Sequence, residues 1–259
     1  MHALRIMIGS TTILGRPADS TSRVRGLFVG RGGFTGWDDG VDSRRESVSR
    51  PDSHGEFDLP VLLGSRVFSI DGYALGWSPL ELASLRSEVV ATGAEGGRFP
   101  VVVDHQGEQL TAYARRGGKP SFQDAGIRHG MHRATFLMQF VAADPRKYGE
   151  TESYTGPASH MGDFPAIPVI DVTATSTMAG YTVVGPEGRR FVVTQTLPAG
   201  QTHRIDMRTG WLYLNGALQI GAVAVSDLWT IPPGRQVAHA LEPVSGAGTV
   251  MVTVTDTFI

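Results

Sequence analysis

Trp211-Leu212-Tyr213-Leu214-Asn215-Gly216-Ala217-Leu218-Gln219-Ile220 is the clearest structural signal in the chain. Asn-Gly is the pair that a two-residue type I′ turn needs, because both central residues take positive φ there. The large residues on either side then make a β-hairpin. A turn at Asn215-Gly216 pairs Leu214 with Ala217, Tyr213 with Leu218 and Trp211 with Ile220. Side chains alternate between faces, so Trp211, Tyr213, Leu218 and Ile220 share one face. An aromatic and aliphatic face of that kind is expected in a core.

Around this hairpin lie further short apolar runs. Strands are expected over 167–174, 181–184, 190–196 and 203–207. A last one covers 249–255, where Val250, Val252 and Val254 alternate with Thr. Many short strands separated by turn residues read as a β-sandwich, here over 164–259. The segment before it, 150–163, holds Glu, Thr, Ser, Gly and Pro with almost no aliphatics. It reads as a linker.

Residues 1–149 form a second body, also rich in strands. Runs at 3–8, 24–29, 57–63, 66–70, 99–104, 108–115 and 134–141 are the candidates, the last with Phe136, Met138 and Phe140 on one face. His105-Gln106-Gly107 supplies a hairpin turn. One helix is expected near 79–91. Ser78-Pro79-Leu80-Glu81 is a capping box with Pro at the first helical position. Leu82, Leu85 and Val89 recur at helical spacing, and Gly93 is a stop. Residues 36–56 are rich in Asp, Arg, Ser and Gly, so this stretch is expected as a long loop, mobile in the free subunit. The fold class is therefore mostly β, with a β-barrel-like N-terminal domain carrying one helix and a C-terminal sandwich.

Composition narrows the function. The chain has 259 residues, of which 41% are hydrophobic and 19% charged, which is a globular balance. It has no cysteine, which removes disulfides, thiolate nucleophiles and Cys-based zinc sites. The opening residues show no signal peptide, and no apolar run is long enough to cross a bilayer as a helix, so no membrane insertion is expected. Net charge is −2. Residues 1–150 hold 18 of the 23 basic residues and 17 of the 25 acids, so the first part is charge-dense and balanced. Only Lys119 and Lys147 are lysines. Arginine suits bidentate contacts between proteins, but genomic base composition is the weightier explanation of this bias.

Catalytic and cofactor motifs are missing. There is no G-x-S-x-G elbow. Gly30-Arg31-Gly32-Gly33-Phe34-Thr35-Gly36 has Thr35 where a dinucleotide fingerprint needs its last Gly. His129-x-x-His132 is a metal seed without a third ligand fixed by spacing, since His105, His160 and Asp163 are scattered. The basic residues from Arg115 to Arg133 lack interleaved stacking aromatics, so nucleic-acid recognition is disfavoured. A glycan hydrolase needs two facing carboxylates, which spacing among 25 acids does not identify. The sharper alternative to a structural role is a carbohydrate-binding module that recognises surface glycans. Its candidates are Trp211, Tyr213 and Trp229. The hairpin face argues for core in the first two, which leaves Trp229.

Taken in order along nearly the whole chain, these segments resemble the distal tail proteins of long-tailed bacteriophages, often labelled minor tail proteins. The resemblance lies in Leu63-Gly64-Ser65-Arg66-Val67-Phe68-Ser69-Ile70-Asp71-Gly72, the helix, the Gly107 hairpin, and above all Ala143-Asp144-Pro145-Arg146-Lys147-Tyr148. In the second half it lies in Gly162-Asp163-Phe164-Pro165, Leu197-Pro198-Ala199-Gly200 and Ile231-Pro232-Pro233-Gly234. Residues 36–56 depart from it as an insertion. The resemblance implies a galectin-like sandwich, a place in the virion tail tip, and a homo-oligomeric ring of six copies. That ring joins the tail tube to the tip proteins that meet the host. It implies no enzyme and no cofactor. Asp144, Pro145 and Tyr148 are implied as structural signature residues.

Overall fold

The computed structural model describes residues 4–15 and 24–259. Ala3, expected to open the first strand, lies outside the described residues. The chain divides into two compact units, residues 1–147 with Ile259, and residues 148–258.

The first unit contains β1 (Leu4–Ile8), β2 (Thr11–Leu14), β3 (Gly26–Thr35), β4 (Ser43–Arg44), β5 (Leu62–Leu63), β6 (Arg66–Gly76), α1 (Pro79–Ala91), β7 (Phe99–His105), β8 (Glu108–Arg116), β9 (Ser121–Arg128) and β10 (Met131–Ala142). Strands pair in the order β8-β7-β1-β2-β3-β6-β10. Phe140 and Val141 of β10 then pair with Arg116 and Arg115 of β8, which closes a barrel. All neighbours are antiparallel except β2 and β3. Alternation decides what fills it: Ile6, Ile70, Val101, Phe136 and Phe140 point inward. Gly72 is required within β6. A Cβ there would lie 2.7 Å from the Phe136 ring and collide with the Phe28 carbonyl.

The helix follows its sequence signals. Ser78 Oγ accepts the Glu81 amide at 3.2 Å as the N-cap, and the Glu81 carboxylate reaches back one residue past the cap to accept the Trp77 amide at 2.8 Å. Leu82, Leu85 and Val89 face the barrel core, and Gly93 leaves the helix at φ +67°. Gln106 and Gly107 both have positive φ, as their two-residue turn demands.

Closing a sheet into a barrel removes its strand edges. Among the described residues only β9, paired to β10 alone, keeps a free side in the barrel sheet, and its residues 123–128 are exposed. The 36–56 segment is also not one uniform loop. Trp37 is buried in the core against Phe34 and Phe68, with ring centroids 5.8 and 5.4 Å away. Beyond it the chain makes a narrow hairpin. β4 pairs with β5, Ser49 bridges Glu56, and Arg45 and Ser47 bond to the Glu56 carboxylate. Val48, Phe57, Val61 and Leu62 on this arm are exposed.

The second unit takes all of β11 (Lys147–Tyr154) but its first residue and continues through β12 (Val169–Ser176), β13 (Tyr181–Val184), β14 (Arg190–Val193), β15 (Thr202–Asp206), β16 (Trp211–Leu214), β17 (Ala217–Leu218), β18 (Val223–Ser226), β19 (Ala240–Pro243) and β20 (Ala247–Phe258). One sheet runs β17-β16-β15-β12-β20-β11 and the other β18-β14-β13-β19. Ile170, Val172, Ile205, Leu212 and Val252 from the first meet Tyr181, Val183, Phe191 and Val193 from the second, so the unit is a β-sandwich.

Residues 150–163 are part of this sandwich instead of an exposed link. Thr151 and Ser153 on β11 bond through their hydroxyls to Thr255 and Thr253 of β20 at 2.8 and 2.9 Å. Ala158 pairs with Val237, and buried His160 bonds the Ile231 carbonyl at 3.0 Å. Polar composition looked like a linker because the stretch bonds through hydroxyls and backbone and buries few aliphatics.

Candidate functional site

Two places concentrate chemistry. The first is Asp144–Tyr148, the segment that carries the strongest sequence resemblance. Arg66, 1% exposed, opens β6 directly beneath it. Its Nε donates to the Pro145 carbonyl at 2.8 Å, and its Nη1 donates to the carbonyls of Gly36, Trp37 and Asp39 at 3.0, 2.8 and 3.0 Å. Lys147 Nζ, also buried, donates to the Trp37 carbonyl at 3.1 Å and lies 5.9 Å from the Trp37 ring centre. A buried charge needs dense hydrogen bonding, and here backbone carbonyls supply much of it. The result is a clamp that holds the root of the 36–63 arm to the end of β10. Asp144 folds the turn by accepting from the backbone and side chain of Arg146, at 3.3 and 3.0 Å. Tyr148 accepts from Arg208 Nη2 through its hydroxyl at 3.2 Å. Arg66 and Lys147 stood in the sequence only as members of the resembling segments, and no pattern marked them, or Trp37, as buried partners of one another. The nearest signal was a lone Arg between two small residues and an apolar run.

The second place is the sandwich. The hairpin register is as read: Asn215 and Gly216 have φ of 50° and 80°, Leu214 pairs with Ala217, and Tyr213 with Leu218. Its faces are reversed. Leu212 lies in the core, whereas Trp211 is 52% exposed and Ile220 91% exposed. The core took the face with the smaller Leu side chains because β15 brings Ile205 and His203 opposite Leu212 and Leu214. Trp229 fares the opposite way. It is 3% exposed, its Nε1 donates to His239 Nε2 at 3.0 Å, and a Cβ at Gly185 would come within 2.6 Å of its ring. No ring face is open for stacking a sugar, which corrects its selection as the glycan candidate.

Because indole N–H only donates, His239 Nε2 accepts and the imidazole is neutral. Burial lowers the pKa of His239 and of fully buried His203. Burial likewise raises that of Tyr181, whose hydroxyl is 3.1 Å from His203 Nδ1. His129 and His132 find no third ligand, since no group of three metal-binding side chains forms among the described residues. The Gly30–Gly33 run is a strand bulge opposite Asp71, bordering a shallow cleft of about 300 Å³ lined by Arg31, Thr35, Ser69 and Leu137.

A closed barrel with one helix, followed by a two-sheet sandwich, defines a β-rich, two-unit protein. The comparisons agree. Residues 161–256 match the model of the siphovirus-type tail component, C-terminal domain. The fold matches the crystal structure of the Dit protein of phage SPP1, described as a paradigm of the hub adsorption apparatus in Gram-positive infecting phages. The TM-score is 0.69 at 15% identity, covering 90% of this chain and 94% of that one. A chain of the phage P2 baseplate, in its activated conformation with Ca, aligns over 99% of this chain and 98% of its own. Its TM-score of 0.48 at 9% identity is too slight to argue from. No curated protein matches. The resemblance to distal tail proteins therefore stands: residues 161–256 are similar to a siphovirus-type tail component, and the fold is similar to that of SPP1 Dit.

Proposed function

We propose that this chain is a non-enzymatic subunit of a phage tail tip, assembled as a closed homo-oligomeric ring that joins the tail tube to the host-contacting tip proteins. The observation that carries the reading is the conjunction of two matches. The C-terminal family model covers residues 161–256, and the SPP1 Dit fold covers 90% of the chain. Features of the first unit support assembly through it. The free side of β9 offers unpaired backbone groups, the 43–63 arm exposes Phe57, Val61 and Leu62, and its charges of both signs suit polar contacts. Head-to-tail contacts that close make rings, and six copies is the number the family resemblance carries. The protein would be made in the host cytoplasm and end in the virion. Antibody-gold labelling of intact particles tests the location. Label confined to the distal end of the tail supports the reading, and label on the capsid contradicts it.

A further inference from the structure

The reversal of the 211–220 hairpin turns Trp211 and Tyr213 away from the sandwich core. Trp211 and Tyr213 stand side by side on the outer face of β16, ring centroids 6.5 Å apart at 63°. Leu218 flanks Tyr213 on β17. One strand further in, Arg204 is the cross-strand partner of Tyr213, and Asp171 of β12 is the partner of Arg204. Arg204 Nε and Nη2 each donate to one oxygen of Asp171 at 2.8 Å. The Asp171 side chain is 6% exposed and that of Arg204 63% exposed. The carboxylate is thus a buried anchor, and the fork presents a guanidinium fixed in orientation, its charge balanced, one strand spacing of about 4.8 Å from an aromatic floor.

We infer that this face, built from Trp211, Tyr213 and the Asp171–Arg204 pair, is a binding platform for a neutral saccharide. A pyranose offers an apolar C–H face and a rim of hydroxyls. The first stacks on indole and phenol rings, and the second accepts from an oriented guanidinium. A protein partner fits less well. The apolar part spans two strands and about four residues, on the order of 10 by 13 Å from strand spacing and rise. That is far short of the roughly 800 Å² per partner of a stable protein interface. A phosphate or other anion fits less well too, because Asp171 already neutralises the only cation of the platform.

The test is a nuclear magnetic resonance titration of the full chain with its tryptophans ¹⁵N-labelled. The Trp211 indole signal is assigned from Trp211→Phe. Neutral hexose and N-acetylhexosamine oligosaccharides are added to tens of millimolar. The inference predicts a saturable shift of the Trp211 signal with at least one of these sugars, while the signals of buried Trp229 and of exposed Trp77 in the first unit stay still. Trp211→Ala, Tyr213→Leu and Arg204→Gln should each bind about tenfold more weakly. Their circular dichroism should stay unchanged, and Trp77→Ala should bind as the parent does. No saturable Trp211 shift with any sugar, a shift produced only by anionic glycans, or full affinity in Trp211→Ala would overturn it. None of these outcomes bears on the ring, so the two readings fail separately.

Discussion

Replacing Arg66 by Met removes the centre of the clamp while keeping much of its volume. Four hydrogen bonds go, to the carbonyls of Gly36, Trp37, Asp39 and Pro145. Bonds to a charged donor contribute about 1.5–3 kcal/mol each, but the buried guanidinium is costly to desolvate, and Met recovers that cost. Trp37 O keeps Lys147 as a donor, and the Gly36 and Asp39 carbonyls lie where the arm can turn them to water. The net expected loss is about 3–5 kcal/mol, the scale of breaking a buried charged contact. That is a large share of the roughly 5–15 kcal/mol of a typical domain. Arg66→Lys keeps the charge but loses the planar fork, and should lie between Met and the parent. Urea denaturation combined with amide hydrogen exchange reads both effects. Exchange should quicken at residues 36–63 and in β6 and β10. A Met variant within about 1 kcal/mol of the parent, with arm exchange unchanged, would refute the clamp as the device that holds the arm.

Three further outcomes follow from the packing. Gly72→Ala should destabilise the barrel by about 1–3 kcal/mol through its clash with Phe136 and the Phe28 carbonyl, read as a lower urea midpoint; an unchanged midpoint contradicts the close approach. Leu212→Ala should cost about 2–5 kcal/mol and Trp211→Ala under about 1 kcal/mol, so the reverse order in denaturation would restore the aromatic face to the core. His203 and His239 have pKa values pushed below the ordinary histidine value by burial, so the unfolded chain binds protons first as pH drops. Their contribution is whole above about pH 6.5 and is lost as pH falls through the lowered folded values, so the sandwich should weaken on acidification and His203→Gln should flatten the slope; a pH-independent midpoint between about pH 7.5 and 5 argues against it.

The sequence was most legible where local chemistry decides geometry. Ser78, Pro79 and Glu81 place the helix, Asn215-Gly216 and Gln106-Gly107 place two turns, and alternation places Phe136, Met138 and Phe140 inside. It was less legible where distant partners decide. The hairpin register came from the turn, but its face was set by Ile205 and His203 across the sheet, which the 211–220 pattern does not contain. Trp211 and Trp229 consequently exchanged roles. Closure of the barrel depends on two pairs, Phe140 with Arg116 and Val141 with Arg115, that leave no periodic trace. Arg66 reads as a surface charge because only the fold brings four carbonyls to it. Residues 150–163 read as a linker because hydroxyl ladders and backbone bonds, which hold them, resemble loop composition.

Cryo-electron microscopy of whole particles that carry this chain tests the proposed ring. Several copies are expected in a closed ring around the tail axis, between the tube and the tip proteins, with neighbouring first units in contact through the β9 side or the 43–63 arm. A single copy at that position, or density for this chain inside the capsid, would contradict it.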